Sequence, residues 1–179
     1  MNKYSSHPRE LYSARRESIR YFQSNYANQF DLFGVGWGEM ARPRGGYGRR
    51  YQWHYPSYKG EVENKSEVLG CYKFALCYEN MSGELGHVTE KIFDIIMSDC
   101  VPIYWGAANV ESYVNHRAFI DRRNFLDNAA LGAFLSGISE VAYREYIEAG
   151  KMYLSSGDFR RFLPEAFATS IIEPLGLDV

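Results

Sequence analysis

Apolar positions along the chain follow two rhythms, one helical and one strand-like. From Glu10 to Asn28, Leu11, Ile19 and Phe22 stand out among charged residues, which predicts an amphipathic helix. The run FDLFGVGW (Phe30 to Trp37) predicts a short apolar strand stopped by Gly34 and Gly36. A short amphipathic helix is predicted from Glu61 to Leu69. The run KFALCY (Lys73 to Tyr78) is mostly apolar and of strand length, as suits a strand buried on both faces of a parallel sheet.

After a polar loop from Glu79 to His87 comes VTEKIFDIIMSDC. Here Ile92, Phe93, Ile95, Ile96 and Met97 crowd one side of a predicted helix, with Thr89 placed to cap it. The run VPIY (Val101 to Tyr104) is the next strand, and Trp105-Gly106 turns out of it. A helix-like stretch and a strand at Ala118 to Ile120 follow. Beyond Asp127 the pattern is helical to about Phe134, again from Val141 to Leu154, and again from Phe159 to Ile172.

Alternation of this kind predicts an α/β fold, a doubly wound parallel sheet ending in a helical C-terminal segment. One domain spanning residues 1–179 accounts for every element, with no internal repeat. The pattern breaks from Gly38 to Tyr58, where Gly, Arg, Tyr and Pro dominate. At about twenty residues that excursion exceeds the usual connection in a compact domain, which points to a functional or mobile segment.

Composition narrows the function classes. Hydrophobic residues make up 46% and charged residues 23%, a globular balance, and the net charge of −2 gives no global attraction to nucleic acid or anionic membrane. No apolar run approaches the roughly 20 residues that cross a bilayer, and the opening MNKYSSHPRE is polar rather than signal-like. Cys71, Cys77 and Cys100 cannot all pair and fit no common zinc spacing, so free thiols are expected.

In an open parallel sheet, ligands bind beyond the carboxyl ends of the strands, where helix N-termini offer free N–H groups and partial positive charge. The loop from Glu79 to His87 occupies such a place. Lys91, in the first turn of the next helix, runs against the preference for acidic residues there, which an anion nearby would explain; a solvated surface lysine is the commoner reading of that residue alone. Glu90 suits the helix dipole and needs no function to explain it.

The segments YKFALCYEN (Tyr72 to Asn80), HVTEK (His87 to Lys91) and VPIYWG (Val101 to Gly106) resemble, in order and spacing, the signature region of family 10 glycosyltransferases, the α-1,3/4-fucosyltransferases. The likeness continues more loosely through ARRESIRYFQ, FDLFGVGW and AFIDRRNF, and its flavour is bacterial. The resemblance implies the C-terminal, Rossmann-like half of a GT-B glycosyltransferase, with GDP-fucose as donor, a glycan hydroxyl as acceptor, inverting α-1,3 transfer, and no metal or cofactor. It further implies that Lys91 contacts the diphosphate and that Glu90 contacts the donor and stabilises positive charge on the departing fucosyl group. Asn80 would bond the nucleotide sugar. An arginine of the first helix would be a second phosphate ligand, Arg16 aligning best and Arg15 the alternative.

The sequence departs from the family pattern in two places. His87 stands where the family has tyrosine, and Tyr78-Glu79-Asn80 replaces Phe-Glu-Asn, leaving Glu79 either to serve the site or to satisfy loop amides. The family's N-terminal acceptor domain, with its general base, is expected to be absent; Glu39 is a speculative substitute base. Three rival readings remain. One is a catalytically incomplete GDP-sugar-binding fragment. Another is a different GT-B transferase that uses another GDP-sugar. The third is a single-stranded nucleic-acid binder using the arginines and aromatics of residues 41–58, which the negative net charge disfavours. A sequon at Asn80-Met81-Ser82 inside the expected donor site fits poorly with a Golgi lumen, so a bacterial cytoplasm is expected, with peripheral membrane association in a longer protein as the variant.

Overall fold

The computed structural model describes residues 5–37, 40–41, 51–52 and 55–172. Helix α1 (Tyr12–Asn25) leads to strand β1 (Leu32–Phe33), then β2 (Met40–Ala41), β3 (Tyr51–Gln52) and β4 (Tyr58–Gly60). A short α2 (Lys65–Leu69) precedes β5 (Phe74–Tyr78), α3 (Glu90–Met97) and β6 (Val101–Trp105). After two 3₁₀ turns come β7 (Ile120–Asp121), a third 3₁₀ turn, and the helices α4 (Asn128–Gly137), α5 (Glu140–Leu154), α6 (Gly157–Arg160) and α7 (Pro164–Ile172). The helix-like stretch expected before β7 is therefore a pair of 3₁₀ turns, too poor in periodic apolar residues to continue as an α-helix.

Strands β5, β6 and β7 form a parallel sheet in that order, with Phe74 opposite Val101 and Ile103 opposite Ile120. Strand β1 pairs with β4 in a separate parallel ribbon, and β2 pairs with β3 antiparallel. The predicted strand at residues 30–37 shrinks to Leu32–Phe33, because Gly34 and Gly36 take positive φ and turn the chain away at once.

Side chains alternate across β5 and β6, so the two sheet faces build two cores. Cys77 and Tyr104 face α3, packing with Ile92, Phe93, Ile96 and Tyr153 of α5. Tyr78, Val101 and Ile103 face the other way, onto Phe22 of α1 and Leu131 of α4. A third cluster joins Ile19 of α1 to Leu32, Trp37 and Tyr55. Burial of each large apolar side chain contributes roughly 1.5–3 kcal/mol, so the four buried residues of α3 (Ile92, Phe93, Ile95, Ile96) anchor that helix to the sheet.

Met97 does not join them; it is 56% exposed. At about 100° per residue it lies some 140° round the helix from Ile92, past the edge of the buried stripe. The helix ends there through Asp99, which adopts a left-handed φ of 53° and donates its N–H to the Ile96 carbonyl at 3.2 Å. The three cysteines are free, Cys71 exposed and the other two buried.

Candidate donor-binding site at the strand ends

The carboxyl ends of β5 and β6 meet at one point in register, Tyr78 opposite Trp105, and the chain leaves both strands there. The Glu79 N–H donates to the Trp105 carbonyl at 2.8 Å, and the Gly83 N–H donates to the Gly106 carbonyl at 3.0 Å. The loop from 79 to 89 is thus fastened to the outgoing strand at both shoulders. Residues just before α1 fasten it from the other side. Leu11 N–H donates to the Asn80 carbonyl at 3.0 Å, Ser82 N–H to the Arg9 carbonyl at 2.8 Å, and Arg9 is ion-paired with Glu84. Gly83 and Gly86 supply the left-handed φ values of 77° and 73° that let so short a loop fold back to α3.

Glu79 is the organising residue. Its side chain is fully buried, and three donors converge on its carboxylate. The Thr89 N–H donates to Oε1 at 3.0 Å, the Thr89 hydroxyl lies 2.9 Å from both carboxylate oxygens, and Lys91 Nζ donates to Oε2 at 2.7 Å. A buried carboxylate is tolerable only when its lone pairs are satisfied in this way. Gly106 makes room for it: a Cβ there would collide with Glu79 Cγ and with the Tyr104 hydroxyl. That hydroxyl accepts from the Ala107 N–H at 3.0 Å and reaches the His87 carbonyl at 3.4 Å, so Tyr104 ties both loops together beneath the site. Burial pushes the Tyr104 pKa well above its ordinary value, which keeps it a neutral donor.

Thr89 does occupy the N-cap position of α3, as expected, but its hydroxyl makes no capping bond. The hydroxyl is instead held against the buried Glu79 carboxylate, to which it donates, and in that position it accepts no helix N–H. The first-turn N–H groups of α3 are consequently left without a side-chain cap, at the mouth of the loop.

The expected site residues gather unevenly around this point. Asn80, His87 and Glu90 lie on the same loop and helix start, all exposed, and none of their side chains has a hydrogen bond among the described residues. Lys91 is 28% exposed and keeps two N–H donors beyond the one given to Glu79. In the first helix, the two neighbouring arginines take different partners. Arg15 donates to the carbonyls of Tyr78 at 2.5 Å and Glu79 at 3.0 Å, at the carboxyl end of β5, and its guanidinium lies 5.6 Å from the centre of the Tyr12 ring. Loss of solvent lowers its pKa from the ordinary guanidinium value. Arg16 instead donates to Ser13 Oγ at 2.9 Å on the exposed side of α1. One residue is 100° of helix rotation, which is the whole difference between facing the sheet and facing away.

Two features are not legible in sequence. Of the two roles open to Glu79, the structure shows amide satisfaction, at Thr89, together with the ion pair to Lys91. Its signal was a lone carboxylate ending an apolar strand, with Thr and Lys 10 and 12 residues later. Arg122 is the other, buried beside Trp105 with its guanidinium 5.5 Å from that ring and donating to the Phe125 carbonyl at 2.8 Å. Glu39 and the arginines of the 41–58 segment, Arg42, Arg44, Arg49 and Arg50, lie outside the described residues. Among the described residues, no cluster of His, Cys, Asp and Glu could hold a metal ion, and no helix is long and apolar enough to cross a membrane.

Comparison with known proteins adds an independent line. A model of the C-terminal region of glycosyltransferase family 10 (fucosyltransferase) matches residues 13–159. The chain is similar to the alpha-(1,3)-fucosyltransferase FucT of Helicobacter pylori, 47% identical over 64 residues covering 36% of this chain and 13% of that protein. It is also similar to an alpha-(1,4)-fucosyltransferase of Arabidopsis thaliana, 42% identical over 81 residues covering 44% of this chain and 20% of the relative. Among solved structures, an alpha1,3-fucosyltransferase with GDP-fucose superposes over 80% of this chain and 36% of its own, with a TM-score of 0.53 and 28% identity. These matches span well under half the length of each relative.

Proposed function

This chain belongs to glycosyltransferase family 10, the fucosyltransferases, and on that footing we propose that it holds GDP-fucose for transfer of L-fucose to a glycan hydroxyl. The observation that carries the reading is the convergence at one strand end of Lys91, Arg15 and the uncapped N-terminus of α3. Two cations beside free helix N–H groups are what a nucleoside diphosphate requires. The solved relative that superposes on most of this chain carries GDP-fucose, which supports the same donor.

In this reading the diphosphate lies against the first turn of α3, with Lys91 and Arg15 as its cationic ligands and Asn80 and His87 on the adjoining loop. Breaking the fucose–phosphate bond leaves negative charge on GDP and oxocarbenium-like positive charge on the sugar. Preorganised cations stabilise the first, and the exposed Glu90 carboxylate, at the start of the helix, stabilises the second. Arg and Lys thereby do the work that a divalent ion does in metal-dependent transferases, so the reading calls for no metal and no cofactor.

The finer assignments belong to the same proposal. Helix α3 on one face of the β5-β6-β7 sheet and α1 and α4 on the other, with α5 packing against both cores, support a doubly wound, Rossmann-like half of a GT-B enzyme. Transfer is read as inverting and α-1,3, and an inverting transfer needs a carboxylate base to take the acceptor's proton. That base and most of the acceptor site are assigned to parts of the enzyme outside the described residues. Nucleic acid is not a partner in this reading, and the protein is read as cytoplasmic in a bacterium, with peripheral membrane association in a longer protein as the variant.

Calorimetric titration of GDP and GDP-fucose into the wild type and Lys91→Ala tests the proposal. Binding of GDP in the micromolar range is expected, weakened about tenfold or more by loss of one charge-assisted phosphate contact. Equal affinity in the two proteins, both shown to be folded, would remove Lys91 from the site.

A further inference from the structure

We propose that Glu79 is the positioning residue of the diphosphate site, acting on the donor through Lys91. The inference rests on the donor-site reading above and adds to it a residue that never touches the ligand.

The argument begins with an apparent contradiction. A carboxylate beside a diphosphate is electrostatically unfavourable, and burying it costs several kcal/mol unless it is compensated. Glu79 is nonetheless fully buried at the strand end, and both candidate cations are attached to it. Its side chain accepts from Lys91 Nζ at 2.7 Å, and its main-chain carbonyl accepts from Arg15 at 3.0 Å. The surroundings are arranged to keep the carboxylate in place. Thr89 gives up its capping role to hold both oxygens, and Gly106 lacks the Cβ that would displace Glu79 Cγ.

A free lysine side chain loses much of its rotamer entropy when it is fixed on a ligand. The Glu79 carboxylate imposes that ordering before the ligand arrives. It takes one N–H of the ammonium and leaves two for a ligand. The bond also lowers the net charge of the unliganded site, so Arg15 and Lys91 stand close to one strand end without unbalanced repulsion. What the carboxylate loses by repelling phosphate, it regains as a lysine already aimed at it.

A double-mutant cycle separates this role from a merely structural one. GDP is titrated into the full chain as wild type, Lys91→Ala, Glu79→Gln and the double variant, with thermal unfolding of each. The glutamine keeps the shape and an acceptor for Thr89 while removing the charge. In the wild-type background Lys91→Ala is expected to weaken GDP about tenfold or more; in the Glu79→Gln background it should weaken it about threefold or less. A tenfold cost in both backgrounds overturns the proposal, because Lys91 would then act without Glu79.

If Glu79→Gln does not fold, Thr89→Val takes its place in the cycle. It retains the branched shape, frees the carboxylate from the hydroxyl, and should likewise shrink the cost of losing Lys91. Failure of the wild type to bind GDP, or equal binding by wild type and Lys91→Ala, is a different result. It defeats the donor-site reading itself and with it the role of Glu79.

Discussion

The guanidinium of Arg15 and the main chain of Glu79 meet at 3.0 Å, joining the first turn of α1 to the end of β5 across 64 positions of sequence. This contact, with its partner bond to the Tyr78 carbonyl, turns Arg15 toward the strand ends. Arg16, one position on, is turned toward Ser13.

The two arginines are therefore expected to behave differently on truncation. Arg15→Ala should weaken GDP binding about tenfold or more, as loss of a charge-assisted phosphate contact does, whereas Arg16→Ala should change it less than about twofold. Parallel calorimetric titrations decide the matter. Equal losses in the two variants would mean that neither register is favoured by the site.

Gly106→Ala puts a methyl group into space held by Glu79 Cγ and the Tyr104 hydroxyl. Overpacking of this sort costs about 1–3 kcal/mol. Glu79, displaced, should release Lys91, so weaker GDP binding is expected alongside a lower urea midpoint. A variant as stable and as tight-binding as the wild type would show that the carboxylate is not seated against Gly106.

Away from the site, the two sheet-facing helices α1 and α4 are pinned by a buried hydroxyl. Ser18 Oγ donates to Asn128 Oδ1 at 2.9 Å and lies 3.0 Å from the Tyr78 hydroxyl, which donates to it in turn. Ser18→Ala leaves the buried Tyr78 hydroxyl and the half-buried Asn128 carbonyl each short of a bond, and a loss of about 1–2 kcal/mol is expected from denaturant unfolding. No loss would indicate that water replaces the serine hydroxyl.

The alkaline limb of stability should carry a signature of Tyr72. Its pKa is pushed up to about 12, first by loss of solvent and then by the bond its hydroxyl donates to Asp31 at 2.6 Å. Because the folded value lies above the ordinary value of 10.0, the folded state holds the proton more tightly. That contribution is complete below about pH 10 and disappears as pH rises through about 12. Tyr72→Phe should accordingly flatten the fall in urea midpoint across this window relative to the wild type. Superimposable profiles would assign the alkaline loss to other groups.

How much of this was readable from the chain differs by element. Strand β5 was predicted to within one residue, because an apolar run of strand length between polar segments has few other fates. The buried stripe of α3 was right for Ile92, Phe93, Ile95 and Ile96 and wrong for Met97, since a stripe read by eye runs past the angle at which the sheet stops covering it. The ends of α1 lie two or three residues inside the predicted bounds on each side, because periodicity does not mark where the last turn stops.

What the sequence determined by itself is local and periodic: the alternation of helix and strand, the loop after β5, and the motif order from Tyr72 to Gly106 that marks the family. Tertiary structure alone decided how the charges in that motif are used. Periodicity cannot say that a hydroxyl at a cap position will turn to a carboxylate ten residues earlier, or that Gly106 is small because Glu79 lies against it. Nor can it separate Arg15 from Arg16, which differ by one step of helix rotation. Such outcomes depend on distances between strand ends that exist only after the sheet has formed. There a buried charge must be satisfied by whatever donors the fold brings within reach.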